Sequence, residues 1–356
     1  MTQAAFNFFA LRGDRTGVRA EPRSGALPEA AEGAAAPAAR PVPGGADPGD
    51  AIGFDHARYG VVPPPACLWP GHPVREGWER GRRLIGRRVR PATLAVTRWL
   101  ALRLAAWQRG EPFDDHQITP QALRSLEATT HCPVSGRALQ DDAQIVAVDG
   151  ARGWVAGNLV LLSPEVAAVW RTLDWPAARE ALARAEAQPE TLVEGLSVRQ
   201  WRRLVTLKSL ATPLPAAEAM RMPLHLLPPN RLRLVNAIQE LQLVLTLQLA
   251  VPGWGQRSRG IAAAMPLTLR CEFNLFFNSL LAQALRQGAG PERSGMRDAL
   301  ALAWNDAVVQ RRWLRFARLV DDTLARRLVD RLASERLPGV TVVRHEHEAV
   351  AVLAAA

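Results

Sequence analysis

Several groups along this chain pair carboxylates with imidazoles closely enough to hold a divalent cation or to move a proton. His131 precedes Asp141, Asp142 and Asp149, and further upstream Asp114, Asp115 and His116 are consecutive. Such groups serve hydrolysis in two ways: a bound metal polarises the reacting oxygen, worth several kcal/mol, and a positioned base adds roughly 10²–10⁴ in rate. The plainer reading is that these acids are solvated loop carboxylates and the histidines surface polar groups. His345-Glu346-His347 would set two imidazoles on one face of a strand. That spacing is not the i, i+4 pair of a zincin helix, and an exposed terminal segment is again the plainer reading. Cys67, Cys132 and Cys271 lie far apart, so no disulfide framework and no four-thiolate zinc site follows from them.

The richest stretch runs from Cys132 to Trp170. It reads as a tight turn at Cys132-Pro133-Val134-Ser135-Gly136, an apolar strand, a Gly-rich loop (Asp149-Gly150 to Gly157-Asn158), a second strand, and a helix opened by Ser163-Pro164-Glu165. This layout resembles the ββα-metal core of the His-Asn-His (HNH) endonucleases, in particular phage and bacterial forms. The resemblance covers about forty residues and is most specific from Asp149 to Ser163. Gly153-Trp154 matches the family's Gly-Tyr step and Gly157-Asn158 its Gly-Asn step, which implies a loop-pinning role for Asn158. The family's Asp-Arg-Ile-Asp block falls on Val146, Ala147, Val148 and Asp149, and its helix ligand falls near Ala167.

Valine and alanine offer no lone pair, so the implied protein is a degenerate HNH fold without the standard metal site. Asp149 is left to shape the turn. The family's zinc knuckle is missing as well, because Cys132 stands where many members carry a Cys-x-x-Cys pair. No cofactor is expected. Mg²⁺ or Mn²⁺ enters only if ligands have relocated to candidates such as Asp141 and Asp149, with His131, Asp149 and Asn158 as the catalytic candidates.

Composition narrows the partner. Of 356 residues, 48% are apolar, and the formal charge is +10 with Lys208 the sole lysine. The charge is concentrated: Arg75 to Arg109 holds ten arginines against Glu76 and Glu79. Interleaved Trp78, Trp99 and Trp107 complete the composition of a nucleic-acid surface, with guanidinium forks for phosphates and flat rings for stacking. The competing reading is an amphipathic helix with buried tryptophans. Arg80, Arg82, Arg83, Arg87, Arg88 and Arg90 are the expected phosphate contacts.

The elements that would position these residues are mostly helical. Residues 19–50 contain ten Ala, six Pro and five Gly, and prolines continue to Pro70, so residues 1–75 are expected to be a disordered tail. A basic helical segment (76–128), the HNH-like unit (129–188) and a helical C-terminal domain (189–356) follow. Helices are expected at about 93–109, 120–128, 164 onward with a restart at Asp174-Trp175-Pro176, 197–210, 230–251, 269–287 and 297–336, and the valine-rich residues 340–353 read as a terminal strand or a frayed end. The fold class is thus mainly α with a small ββα unit. No run of 18 apolar residues occurs, and polar residues interrupt Leu232 to Val251, so a buried helix is expected there and no membrane span. Phe6 to Leu11 is too short for a secretory leader. A cytoplasmic, bacterial or prophage-type nucleic-acid-binding protein, DNA first, is the leading expectation. An active nuclease with relocated ligands and a helical scaffold that docks a protein partner through its C-terminal helices are the alternatives.

Overall fold

A computed structural model describes residues 47–228, 232–250, 253–288, 293–334, 341–345 and 348–352. Helices dominate, and the chain divides into two compact units: Met1–Pro91 with Trp107–Gly110, and Ala92–Ala106 with Glu111–Ala356. The expected tail over residues 1–46 lies outside the described residues.

The first unit corrects the boundary of that tail. Helix α1 spans Pro48–Arg58 and α2 spans Pro73–Ile85, joined through a 3₁₀ turn at Pro65–Cys67. The Ala/Pro/Gly composition hid a proper helix start. The Asp47 side chain accepts from the Gly49 N–H at 2.8 Å, and Pro48 occupies the first turn, where its missing N–H costs nothing. What orders α1 is its contact with α2. A Cβ on Gly53 would lie 1.9 Å from the Val74 carbonyl oxygen, and one on Gly77 would lie 1.9 Å from that of Asp50. The two backbones therefore meet at a distance only glycine permits. Ile52, Cys67 and Val74 fill the remaining core, and the Trp107 ring lies against Gly49 and edge-on to His72.

In the second unit, α3 (Leu94–Arg109, its last turn belonging to the first unit) and α4 (Pro120–Glu127) precede the hairpin. Thr119 caps α4 by accepting from the Ala122 N–H at 3.2 Å. Strands β1 (Gln144–Ala147) and β2 (Leu159–Leu162) pair antiparallel, with Val146 opposite Val160 and Ala147 opposite Leu159. Helix α5 (Pro164–Thr172) follows directly, then α6 (Trp175–Ala187), capped by Asp174. Helix α7 (Val198–Ala211) opens with a Ser197/Gln200 capping box.

Beyond α8 (Ala216–Ala219), the expected helix from residue 230 begins later, as α9 (Ala237–Leu247). Tertiary bonds hold the preceding segment extended. The Arg233 N–H donates to the Gly157 carbonyl at 2.7 Å and the Val235 N–H to that of Leu210 at 3.0 Å. Asn236 closes the link, taking the Leu214 N–H and donating to the Ser209 and Thr212 carbonyls. Helix α9 is buried on all sides, and two of its polar side chains donate inward, Gln239 to Ser209 and Gln242 to the Met222 carbonyl. None of the described helices is long and apolar enough to cross a membrane.

Helices α10 (Trp254–Ala264) and α11 (Leu267–Arg286) come next. The expected single helix over 297–336 is three: α12 (Arg293–Ala303), α13 (Ala307–Ala317) and α14 (Asp322–Ser334). Asp306 accepts from the N–H groups of Val308 and Val309, and Asp321 from that of Leu324. Each aspartate starts a new helix where periodicity alone reads continuity. The breaks let Phe273, Phe276, Trp304, Trp313 and Phe316 gather in one aromatic cluster. A second antiparallel hairpin, β3 (Thr341–His345) with β4 (Glu348–Val352), ends the described chain.

Candidate functional site

The loop between β1 and β2 is organised by one side chain. Asn158, 3% exposed, accepts from the Asp149 N–H at 2.9 Å through Oδ1. Its Nδ2 donates to the Asp149 carbonyl at 2.8 Å and the Gly153 carbonyl at 2.7 Å. A buried amide spends both of its donors and its acceptor on backbone, so the ten-residue loop closes on itself without help from solvent. Gly153 takes a φ of 66°, and a Cβ there would meet the Pro112 ring at 2.6 Å, so the loop's turn also requires glycine.

Asp149 is consumed in the same loop. One carboxylate oxygen accepts from the Ala151 N–H at 3.0 Å and the other meets Arg152 at 3.3 Å. Val146 (3% exposed) and Ala167 (0%), the positions on which the resemblance sets metal ligands, belong to one hydrophobic cluster with Val160, Leu162 and Val166. Ala147 is half-buried, and its carbonyl accepts from the Trp170 indole N–H at 3.0 Å.

Of the other sequence candidates, Asp114 meets this loop through its backbone, its N–H donating to the Trp154 carbonyl at 2.9 Å. His131 is exposed and its Nδ1 meets the Thr130 hydroxyl at 2.9 Å. Asp141 and Asp142 are exposed, and the Asp141 backbone carbonyl accepts from Arg98 at 3.1 Å. Asp114 takes the N–H groups of His116 and Gln117, while Asp115 pairs with Arg103 at 2.7 Å. His345 ends β3, and Glu346 and His347 lie outside the described residues. Among the described residues, no three His, Cys, Asp or Glu side chains come together as a metal group. The turn at Cys132 keeps its shape through backbone bonds, with Gly136 N–H to the Cys132 carbonyl at 2.8 Å and the Ser135 N–H 3.5 Å from the thiol sulfur.

Sequence reasoning passed over one group beside this loop. Lys208 of α7, 7% exposed, sets its Nζ 4.2 Å from the centre of the Trp170 ring. Burial pushes its ammonium down to about 8, opposed by the charges of Asp174 and Asp149. The aromatic face partly replaces the lost hydration. Its signal in the sequence was its solitude: one lysine in a chain that otherwise uses arginine.

The arginines of the first unit form a different kind of site. Arg80 pairs with Asp50 and lies over the Phe54 ring, and Arg82 covers Trp78 at 4.8 Å. Arg83, Arg87, Arg88 and Arg90 are exposed and hold no ion pair with a carboxylate among the described residues. Gly86, at φ 56°, ends α2 and turns the chain so that three of these follow in irregular backbone. Of the three interleaved tryptophans, Trp78 and Trp107 are half-buried and Trp99 is core, so Trp99 offers no face for stacking. Trp99 is buried with its N–H on the Ile118 carbonyl at 2.7 Å, and Trp107 packs on Gly49 and His72.

The apolar faces of α9, α12, α13 and α14 supply the core of their own unit, and among the described residues Val308 on α13 and Leu319 in the turn after it are exposed large apolar side chains. No family model, curated protein or solved structure matches this chain.

Proposed function

We propose that this chain is a nucleic-acid-binding protein of the cytoplasm, in a bacterial or prophage setting, built around an HNH-like hairpin that has lost the family's metal ligands. The observation that carries the reading is the group Arg83, Arg87, Arg88 and Arg90, exposed cations that hold no ion pair among the described residues. Arg80 and Arg82 share α2 with Arg83, but the first is tied to Asp50 and the second to Trp78, so they contribute less to phosphates. Loss of catalysis follows from aliphatic packing at Val146 and Ala167 and from the engagement of Asp149 in its own loop.

Four phosphate contacts predict a definite salt law. Each neutralised phosphate contributes about −0.9 to the slope of log K against log salt, so duplex-DNA affinity should fall roughly 10²-fold between ~50 and ~200 mM salt. Replacing Arg83, Arg87, Arg88 and Arg90 together by Gln should flatten that slope by about 3 to 4. Fluorescence anisotropy with labelled duplex DNA measures both. Affinity that is indifferent to salt in the native chain would overturn the reading.

A further inference from the structure

A second basic site lies wholly within the second unit, where α7 helps to enclose a cavity of about 180 Å³. Its walls include Arg199, Arg202 and Arg203, with His225, Ala301 and Asn305 opposite. The i, i+3, i+4 spacing puts the three arginines on one side of α7, an arrangement of like charges that costs free energy unless something answers it. Glu186 takes Arg202 at 2.8 Å and Asp298 takes Arg203 at 3.1 Å, yet neither acid lines the cavity. Arg199 is exposed and holds no ion pair among the described residues.

His225 makes the site more than a cluster of cations. Its Nδ1 is buried with no hydrogen-bond partner, an unmet requirement that ordinarily costs about 1–3 kcal/mol. Burial, then the neighbouring Arg202, push the imidazole down to about 4, against the weaker pull of Asn305 and Glu186. Burial and the charge of Arg199 likewise lower Arg203. One occupant relieves all of these at once: an anion inside the cavity answers the three guanidiniums and gives the imidazole a proton acceptor once it is protonated. The size is restrictive, since pockets that bury drug-sized ligands run to ~300–1,000 Å³.

We propose that this cavity binds a phosphate group, free or as the terminal monoester of a larger molecule, through Arg199, Arg202 and Arg203 with His225 as an additional donor. The site holds the phosphate and leaves the rest of any larger ligand outside. It is separate from the arginines of α2 and does not depend on the reading of the hairpin.

Titration calorimetry of the full chain with inorganic phosphate tests it, with sulfate as the second probe because its charge is constant across the range used. Saturable one-to-one binding is expected for both. The groups facing His225 are Arg199, Arg202 and Arg203 from α7, Glu186 from α6 and Asn305 beyond α12. A bound dianion raises the imidazole's affinity for its proton, so sulfate affinity should tighten, by roughly tenfold from about pH 7 to about pH 5. His225→Asn should abolish that tightening. Arg199→Gln, at an exposed position, should keep the native circular dichroism spectrum and weaken phosphate binding roughly tenfold or more.

Replacing Arg83, Arg87, Arg88 and Arg90 should leave phosphate binding unchanged, which separates failure here from failure of the nucleic-acid reading. Competition identifies the source. Displacement by a 5′-phosphorylated trinucleotide but not its 5′-hydroxyl counterpart supports a terminal monoester, and displacement by neither supports the free anion. Absence of saturable binding, a pH-independent sulfate affinity, or equal displacement by both trinucleotides overturns the proposal.

Discussion

Helices α2 and α7 are both basic, and they use their cations in opposite ways. At the end of α2 and in the turn after it, Arg83, Arg87, Arg88 and Arg90 are exposed, and the helix's glycines face inward. Gly77 leaves room for the Asp50 carbonyl where any Cβ would collide, and a Cβ on Gly81 would meet that of Ala57 at 2.7 Å. On α7 two of the charges are inward, Arg203 at 9% exposed and Lys208 against the Trp170 ring, while Arg199 stays exposed. A solvated arginine is a point of long-range attraction, weak individually and screened by salt. A desolvated cation instead carries a standing cost that a specific partner can remove. The same residue chemistry therefore suits an extended polyanion in one place and a single small anion in the other.

The comparison can be broken at its scaffold. Gly77→Val forces a branched side chain into the Asp50 backbone, which no rotamer avoids. It should destabilise the first unit by about 3 kcal/mol or more. Chemical denaturation followed by tryptophan fluorescence would read this, and wild-type stability in the variant would mean that α1 and α2 do not meet through their glycines.

The buried cation gives the next effect. The Lys208 folded-state value of about 8 lies below the 10.5 of an unfolded lysine, so between these values the unfolded chain binds more protons. Its penalty is present in full below about pH 8 and disappears as pH rises towards 10.5, so stability from this group rises with pH across that window. Lys208→Met should be more stable than the native chain at neutral pH, by up to about 3 kcal/mol, with the difference vanishing in strong alkali. Denaturation curves of both proteins at several pH values check it, and a difference that stayed constant with pH would show the ammonium to be well solvated.

The smallest effect sharpens the inward side of the contrast at the hairpin loop. Asn158→Ala strands the Asp149 N–H and two carbonyls, and should cost about 2 kcal/mol in a buried setting. Amide hydrogen exchange should accelerate first at Asp149 and its neighbours. Exchange unchanged at Asp149 would mean the loop is held by its glycines and Trp154 alone.

Helix starts were readable from the chain because they are local. Thr119-Pro120, Ser163-Pro164, Asp174 and Ser197 each announce a helix within three residues, and the structure begins α4, α5, α6 and α7 there. The start of α1 carries the same kind of signal at Asp47-Pro48, but the composition of its surroundings outweighed it. Asp306 and Asp321 likewise mark breaks that apolar periodicity passed over. The paired strands 144–147 and 159–162 were visible in the apolar runs on either side of a Gly-rich loop.

Of the candidate site residues, Asp149 and Asn158 meet because they belong to one short loop, while His131 and Asp141 stay apart. The α7 cavity left no trace in the sequence, because it joins positions 199–203 to His225 and to Asn305, a hundred residues further on. By itself the sequence determined the caps, the hairpin, the total charge and the absence of lone pairs at Val146 and Ala167, all of which depend on neighbours or on residue identity alone. Only the tertiary structure decided where α9 begins, which tryptophans are core, and which cations lose their water. Desolvation is a property of what packs around a group, and packing brings together residues that no local pattern connects.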